Sequence, residues 1–201
     1  MPSRLKDQWV LITGASSGFG AAAARLFGEA GAKLLLGARR VDRLEQVATE
    51  ARKAGAPEAH VHGLDVSNTV SVESFVAWAK QKLGTGNSER GSLQVLVNNA
   101  GGALGLDPVA DGKDADWEGM FQTNVLGLMR VTRAALPLIP HHAGGIIINI
   151  GSIAGRVAYE GGAAYCAAKG SSFRSRTPPP RRGFPPAERR HPRHPTPGRS
   201  R

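Results

Sequence analysis

Short apolar runs alternate with stretches of helical period along most of the chain. WVLIT (9–13) is followed by Phe19, Ala22, Ala23, Leu26, Phe27 and Ala30, spaced by threes and fours. KLLLG (33–37) precedes Leu44, Val47, Ala48 and Ala51, and the weaker HVHGL (60–64) precedes Val72, Phe75, Val76, Ala79 and Leu83. LQVLV (93–97) leads through a long loop to a helical pattern from about Trp117 to Leu136. GIIINI (145–150) then leads to a helix starting near Ala163. Apolar strands alternating with amphipathic helices predict a parallel sheet covered on both faces. Right-handed crossovers make it an open, doubly wound α/β sheet of the Rossmann-like kind. GTGNSERGS (84–92) reads as a polar loop, and no internal repeat is visible.

Composition changes this picture at one place. The 201 residues are 41% hydrophobic and carry a net charge of +10. Residues 171–201 alone contribute nine arginines, one glutamate and eight of the 13 prolines. The body is therefore nearly neutral, and its basic pI does not make it a nucleic-acid binder. The division predicts a domain over residues 1–170 and a disordered Arg/Pro-rich tail over 171–201 that cannot bury enough apolar surface to order itself. A single cysteine, Cys166, excludes an internal disulfide framework. The apolar run near the N-terminus is too short for a signal-peptide core or a membrane span, so a cytoplasmic protein is expected.

TGASSGFG (13–20) joins the first strand to the first helix. Gly14 permits a tight turn. Gly18 and Gly20 let the helix N-terminus approach a pyrophosphate. The spacing G-x3-G-x-G differs from the common G-x-G-x-x-G fingerprint, and as a bare pattern it also fits an ordinary strand–helix turn. Candidate cofactor contacts here are Gly14, Ser16, Ser17, Gly18, Phe19 and Gly20. At the end of the second strand, GARR (37–40) offers Arg39 and Arg40 to a 2′-phosphate, which favours NADP(H) over NAD. Asp42, a rival ribose ligand, pairs with Glu45 three residues on and reads instead as a capping box.

Tyr165 and Lys169 are four residues apart and share one helix face. A cation beside a phenol favours the phenolate, and such a group can exchange a proton with a substrate oxygen. Ser152, in NIGSIAG (149–155), is placed to bind the same oxygen. VNNAG (97–101) leaves the fourth strand, and Asn124 puts an amide among Phe121, Val125 and Leu128, where it needs a partner.

Together TGASSGFG, NNAG, Asn124, Ser152 and YCAAK (165–169) resemble the short-chain dehydrogenase/reductase family, over residues 7 to about 170. The resemblance implies an NAD(P)-dependent oxidoreductase with Tyr165 as acid/base. Lys169 would bind the nicotinamide ribose and support the tyrosine. Ser152 would position the carbonyl or alcohol, and Asn124 would hold a water in the proton relay. It also implies an adenine contact at Asp65 and cofactor contacts at Asn98, Ala100 and Gly101. NNAGGALGLDP and INIGSIAGR are similar to the subgroup of NADP-dependent dehydrogenases that oxidise serine and other 3-hydroxy acids.

In that family the YxxxK helix continues and further strands follow, whereas here the pattern stops at about Gly170. The tail looks like a coding region read in another frame or through an unspliced junction, so the sheet is expected to be C-terminally incomplete. The fifth strand would then be an apolar edge, and the short catalytic helix would be marginal. The expected turnover of the chain as written is little or none, and the alternative reading is a nucleotide-binding remnant. The family's homo-oligomers use this helix at their interface, which leaves assembly open. Expected partners are a small alcohol or carbonyl substrate, with no nucleic acid and no membrane. His60 and His62 alternate on a strand with no carboxylate or third ligand placed with them, so no metal site is expected. His141 and His142 read as loop residues, Cys166 as a packing residue, and Trp9, Trp78 and Trp117 as core or interface.

Overall fold

A computed structural model describes residues 5–84, 92–105, 107–140 and 144–172. Five strands alternate with helices: β1 (Trp9–Thr13), α1 (Gly18–Glu29), β2 (Lys33–Ala38), α2 (Val41–Ala54), β3 (Ala59–Gly63), α3 (Thr69–Leu83) and β4 (Leu93–Asn98). Then come α4 (Asp114–Phe121), a π-helical stretch (Gln122–Gly127), α5 (Leu128–Ala135), β5 (Ile146–Asn149) and α6 (Ala163–Ser172). All four strand pairings are parallel, and the order is β3-β2-β1-β4-β5. Order reverses between β1 and β4. At that point the loops leaving the two strands diverge and open a crevice at the strands' C-terminal ends.

Alternate residues of the strands feed two cores. Val10, Ile12, Leu34, Leu36, Val95 and Val97 pack under α1 and α2. Leu11, Leu35, Leu93 and Leu96 pack under α3 and α5 with Phe75, Val72 and Val131. The apolar residues expected on α2 and α3 are the ones buried. On α1 the expected stripe holds only in part, since Ala23 and Phe27 pack at the core's edge. The buried residues are Gly20, Ala24 and Gly28, whereas Phe19 and Leu26 are exposed. The helix approaches α2 too closely for large side chains: a Cβ on Gly28 would lie 2.7 Å from the Ala51 carbonyl oxygen.

Two other expectations need correction. Asp42 does not cap α2, because the helix begins at Val41 with Arg40 as its N-cap and no side-chain cap bond. Asp42 lies inside the first turn, where its charge complements the helix dipole. His60 does have a carboxylate beside it, Glu58 at 3.0 Å, and it stacks on Trp9. Among the described residues no group of three or more metal-ligating side chains gathers. α6 runs two residues past Gly170, into Ser172. The rest of the tail, most of the 84–92 loop, and His141 and His142 lie outside the described residues. Among the described residues, no helix is long and apolar enough to cross a membrane.

Among the described residues β5 pairs with β4 alone, and its own residues alternate between exposed and half-buried. Ile146 and Ile148, expected to form an apolar edge, are 53% and 37% exposed.

Candidate active site

The chain turns sharply at Gly14, whose φ of +65° is a conformation that favours glycine. A Cβ there would stand 2.8 Å from the Cα of Ala100, so the turn lies directly against the loop leaving β4. Thr13 and Asn99 lock the two together. The Thr13 hydroxyl accepts from the amides of Asn99 (3.1 Å) and Ala100 (3.0 Å) and donates to the Val97 carbonyl (3.4 Å). The Asn99 amide donates to the carbonyls of Thr13 (2.9 Å) and Gly14 (3.1 Å). Neither residue was among the expected site residues. A threonine closing an otherwise apolar strand, and the second Asn of NNAG, were the available signals.

Two adjoining clefts meet at this turn. One, of about 400 Å³, is bordered by Gly14, Ser16, Ser17, Arg39, Arg40, Asp65, Ala100 and Gly101. The other, of about 550 Å³, is bordered by Gly14, Ser17, Gly18, Phe19, Ala100, Gly101, Ser152, Tyr165 and Lys169. Apart from Gly20 and Asn98, the expected cofactor residues and three of the four expected catalytic residues thus line a groove made of these two clefts, which share Gly14, Ser17, Ala100 and Gly101. Gly20 lies behind it: a Cβ there would meet the Asn99 Nδ2 at 2.5 Å.

The first cleft has the character of an anion site. Ser17 is the N-cap of α1, yet its side chain makes no bond to the helix, so no side chain caps the first-turn amides. The Arg40 guanidinium donates to Ser16 Oγ (3.1 Å) and Ser17 Oγ (2.7 Å) instead. Bonds from the Ser67 hydroxyl (2.6 Å) and amide (2.9 Å) hold the Asp65 carboxyl below the usual carboxylate range, against the opposing effect of partial burial. The nearby Arg39 charge adds a smaller pull in the same direction.

In the second cleft, Ser152 caps a short 3₁₀ turn. Its Oγ accepts from the Ala154 amide at 3.2 Å, which leaves its O–H to donate to a substrate oxygen. Lys169 is 6% exposed. Its Nζ donates to the Ile150 carbonyl (3.3 Å) and lies 5.7 Å from the Tyr165 ring centre. Burial pushes its ammonium below the ordinary lysine range. α6, which carries Tyr165 and Lys169, packs through Ala164 and Ala168 on Met120, with Trp117 and Val125 at the margin.

Asn124 and Asn98 stand behind the groove and border neither cleft. Asn124, buried in the π-helical stretch, accepts from the Gly102 amide (3.1 Å) and donates to the carbonyls of Gly102 (2.9 Å) and Met120 (2.9 Å). Its side chain thereby fixes the Gly101–Gly102 turn beside the Lys169 ammonium. Asn98, expected at the cofactor-side loop, is 5% exposed and ties β4 to α5 and β5 by donating to Thr132 Oγ1 (2.8 Å) and Asn149 Oδ1 (2.9 Å).

A family model described as short chain dehydrogenase matches residues 8–172. An NADP-dependent 3-hydroxy acid dehydrogenase of Schizosaccharomyces pombe is 41% identical over 168 residues, covering 83% of this chain and 62% of that protein. The chain thus spans less than two thirds of the length of curated relatives that it matches. A serine dehydrogenase solved in its closed form with NADP+ superposes with a TM-score of 0.69 at 38% identity, covering 81% of this chain and 61% of that one. An NAD+-bound xylitol dehydrogenase superposes with a TM-score of 0.77 at 27% identity, covering 85% and 62%. With the doubly wound parallel sheet, these matches show that the chain belongs to the short-chain dehydrogenase family.

Proposed function

We propose that residues 1–170 form the cofactor and proton-transfer unit of an NADP(H)-dependent oxidoreductase acting on a small alcohol or carbonyl compound, with 3-hydroxy acids the first substrates to test. The observation that carries this is the groove with the glycine-rich turn and two arginines at one end and Ser152, Tyr165 and Lys169 at the other. The residues present fit a dinucleotide. The α1 amides have no side-chain cap, Gly14 leaves no room for a Cβ, and Arg39 and Arg40 supply positive charge. The names of the relatives support NADP(H), although an NAD+-bound structure is also similar.

When bound, the nicotinamide would take or give the hydride. The chain's own residues handle the proton and the orientation. Ser152 donates its O–H to the substrate oxygen and Tyr165 exchanges a proton with that oxygen. The buried Lys169 charge stabilises the tyrosine oxygen as the proton leaves. The Asn124 side chain keeps the Gly101–Gly102 turn in place, and the water-holding role implied for Asn124 is part of the proposal. A second reading, nucleotide binding without turnover, is favoured by one observation. Among the described residues, β5 beneath this end of the groove has a single neighbour.

Thermal melts with NADPH and NADH, followed by turnover assays on serine and 3-hydroxybutyrate, test both readings. NADPH at about 100 times its dissociation constant should stabilise the protein by about 2.7 kcal/mol, and more than NADH does. Tyr165→Phe should keep that stabilisation and lose turnover by about 10²–10⁴-fold. NADPH stabilisation without turnover in the unmodified chain selects the second reading. No response to either nucleotide overturns both.

A further inference from the structure

We infer that Arg40 is a positioning residue that sets the glycine-rich turn for either nucleotide, and is not itself a ligand of the 2′-phosphate. The inference rests on the dinucleotide reading of the groove and goes beyond it.

Arg40 is anchored at both ends. Its carbonyl accepts the first bond of α2, from the Leu44 amide at 3.1 Å, which fixes its backbone at the corner between β2 and α2. From there the side chain crosses to the β1–α1 turn, where Nη2 donates to Ser16 Oγ at 3.1 Å and Ser17 Oγ at 2.7 Å. One planar nitrogen with two hydrogens satisfies two hydroxyls, a geometry that a lysine ammonium on its flexible stem would not hold as rigidly.

The bond to Ser17 has a consequence for the helix. A serine at an N-cap ordinarily accepts from a first-turn amide and so competes with any anion for it. Here the Ser17 hydroxyl is turned toward Arg40 and caps nothing in α1. The clasp therefore keeps the amides at the start of α1 open to a phosphate oxygen. NADH and NADPH carry the same pyrophosphate, so a benefit of the clasp at those amides would not depend on the 2′-phosphate.

Arg39 is placed differently. It borders the same cleft beside Asp65, and among the described residues it makes no hydrogen bond or ion pair. Its guanidinium fork is uncommitted and suits a phosphate bidentately. Without a 2′-phosphate it has nothing to grip in the groove.

Dissociation constants for NADPH and NADH, and hydrogen exchange without nucleotide at the turn's Ala15 amide, which bonds to the Gly37 carbonyl at 3.2 Å, test the assignment on the full chain. Arg39→Ala should weaken NADPH by about thirtyfold and leave NADH within about threefold. Arg40→Ala should weaken both nucleotides by a similar factor, about tenfold, and speed turn exchange by about tenfold at an unchanged melting temperature. Adding Ser17→Ala to Arg40→Ala should cost little more, since both remove one clasp. An Arg40→Ala protein that loses NADPH affinity alone, or whose turn exchanges at the original rate, overturns the inference. If the unmodified chain binds neither nucleotide, the oxidoreductase proposal fails, while the exchange data still decide whether Arg40 holds the turn.

Discussion

β1 and β2 bury every residue except Lys33, which is half-buried, whereas β5 buries none. β1 and β2 are each flanked by strands on both sides and covered by helices on both faces, so each side chain is held by several neighbours. Among the described residues β5 has a strand on one side only, and Ile146 and Ile148 are exposed. The groove spans both regions. Its nucleotide end rests on the closed part of the sheet. Its proton-transfer end rests on the Ser152 turn and on α6, which packs on α4 and the π-helical stretch. The two ends should therefore fail separately, with binding the more robust.

Truncation of one side chain in each region should show the contrast most strongly. Leu36, fully buried in β2, touches the core under α1 and α2. Leu36→Ala should cost about 2–5 kcal/mol by leaving a cavity that the surrounding strands cannot collapse. Ile148→Ala should cost under about 1 kcal/mol, because part of that side chain is already in water. Denaturant melts compare the two directly. Equal losses would mean that β5 is covered in solution.

A substitution at Ala168 tests whether the two ends of the groove fail separately. This α6 residue is fully buried and packs in one cluster with Met120. Ala168→Leu overfills that contact at an expected cost of about 1–3 kcal/mol. The strain falls on the helix that carries Tyr165 and Lys169. Turnover should fall at least tenfold while NADPH binding changes by less than about threefold, since the glycine turn and arginine corner do not touch this contact. A parallel loss of binding would show that the groove responds as one unit.

The same contrast explains what could be read from the sequence. The α2 and α3 faces were legible because Leu44, Val47, Phe75 and their neighbours are large apolar residues at helical spacing, and only core burial accounts for them. On α1 the rule held only in part, because close approach to α2 selects small residues. Gly20, Ala24 and Gly28 form the buried face, and Phe19 is freed to border the groove. The spacing of Tyr165 and Lys169 alone fits an ordinary helix surface, and with Ser152 they were legible as a candidate site only through the company of TGASSGFG, NNAG and Asn124. The locks behind them were not. Thr13, Asn99 and the amide partners of Asn124 act through backbone atoms 22 to 87 residues away, and no local pattern marks such contacts. The π-helical turn that aims Asn124 at Gly102 is likewise set by tertiary contacts.

The smallest effect is expected at the opposite end of the strands from the groove. Glu58 accepts from Lys33 (2.8 Å) and pairs with His60 (3.0 Å), and hydrogen bonds first from Lys33 and then from His60 hold its carboxyl below its ordinary value of 4.5. A carboxyl depressed in the folded state stabilises it above the unfolded value, and that contribution disappears as pH falls through the folded one. With side chains 27% to 40% exposed, the whole cluster should be worth only a few tenths of a kcal/mol. Glu58→Gln should therefore melt slightly below the unmodified protein at pH 7. The gap should close as pH drops below about 4 and narrow in 1 M salt. Paired melts from pH 7 to pH 3 measure it. A gap that persists at pH 3 would mean that Glu58 contributes through packing beside Trp9 and His60, and charge would then play no part in holding β2 to β3 at this end.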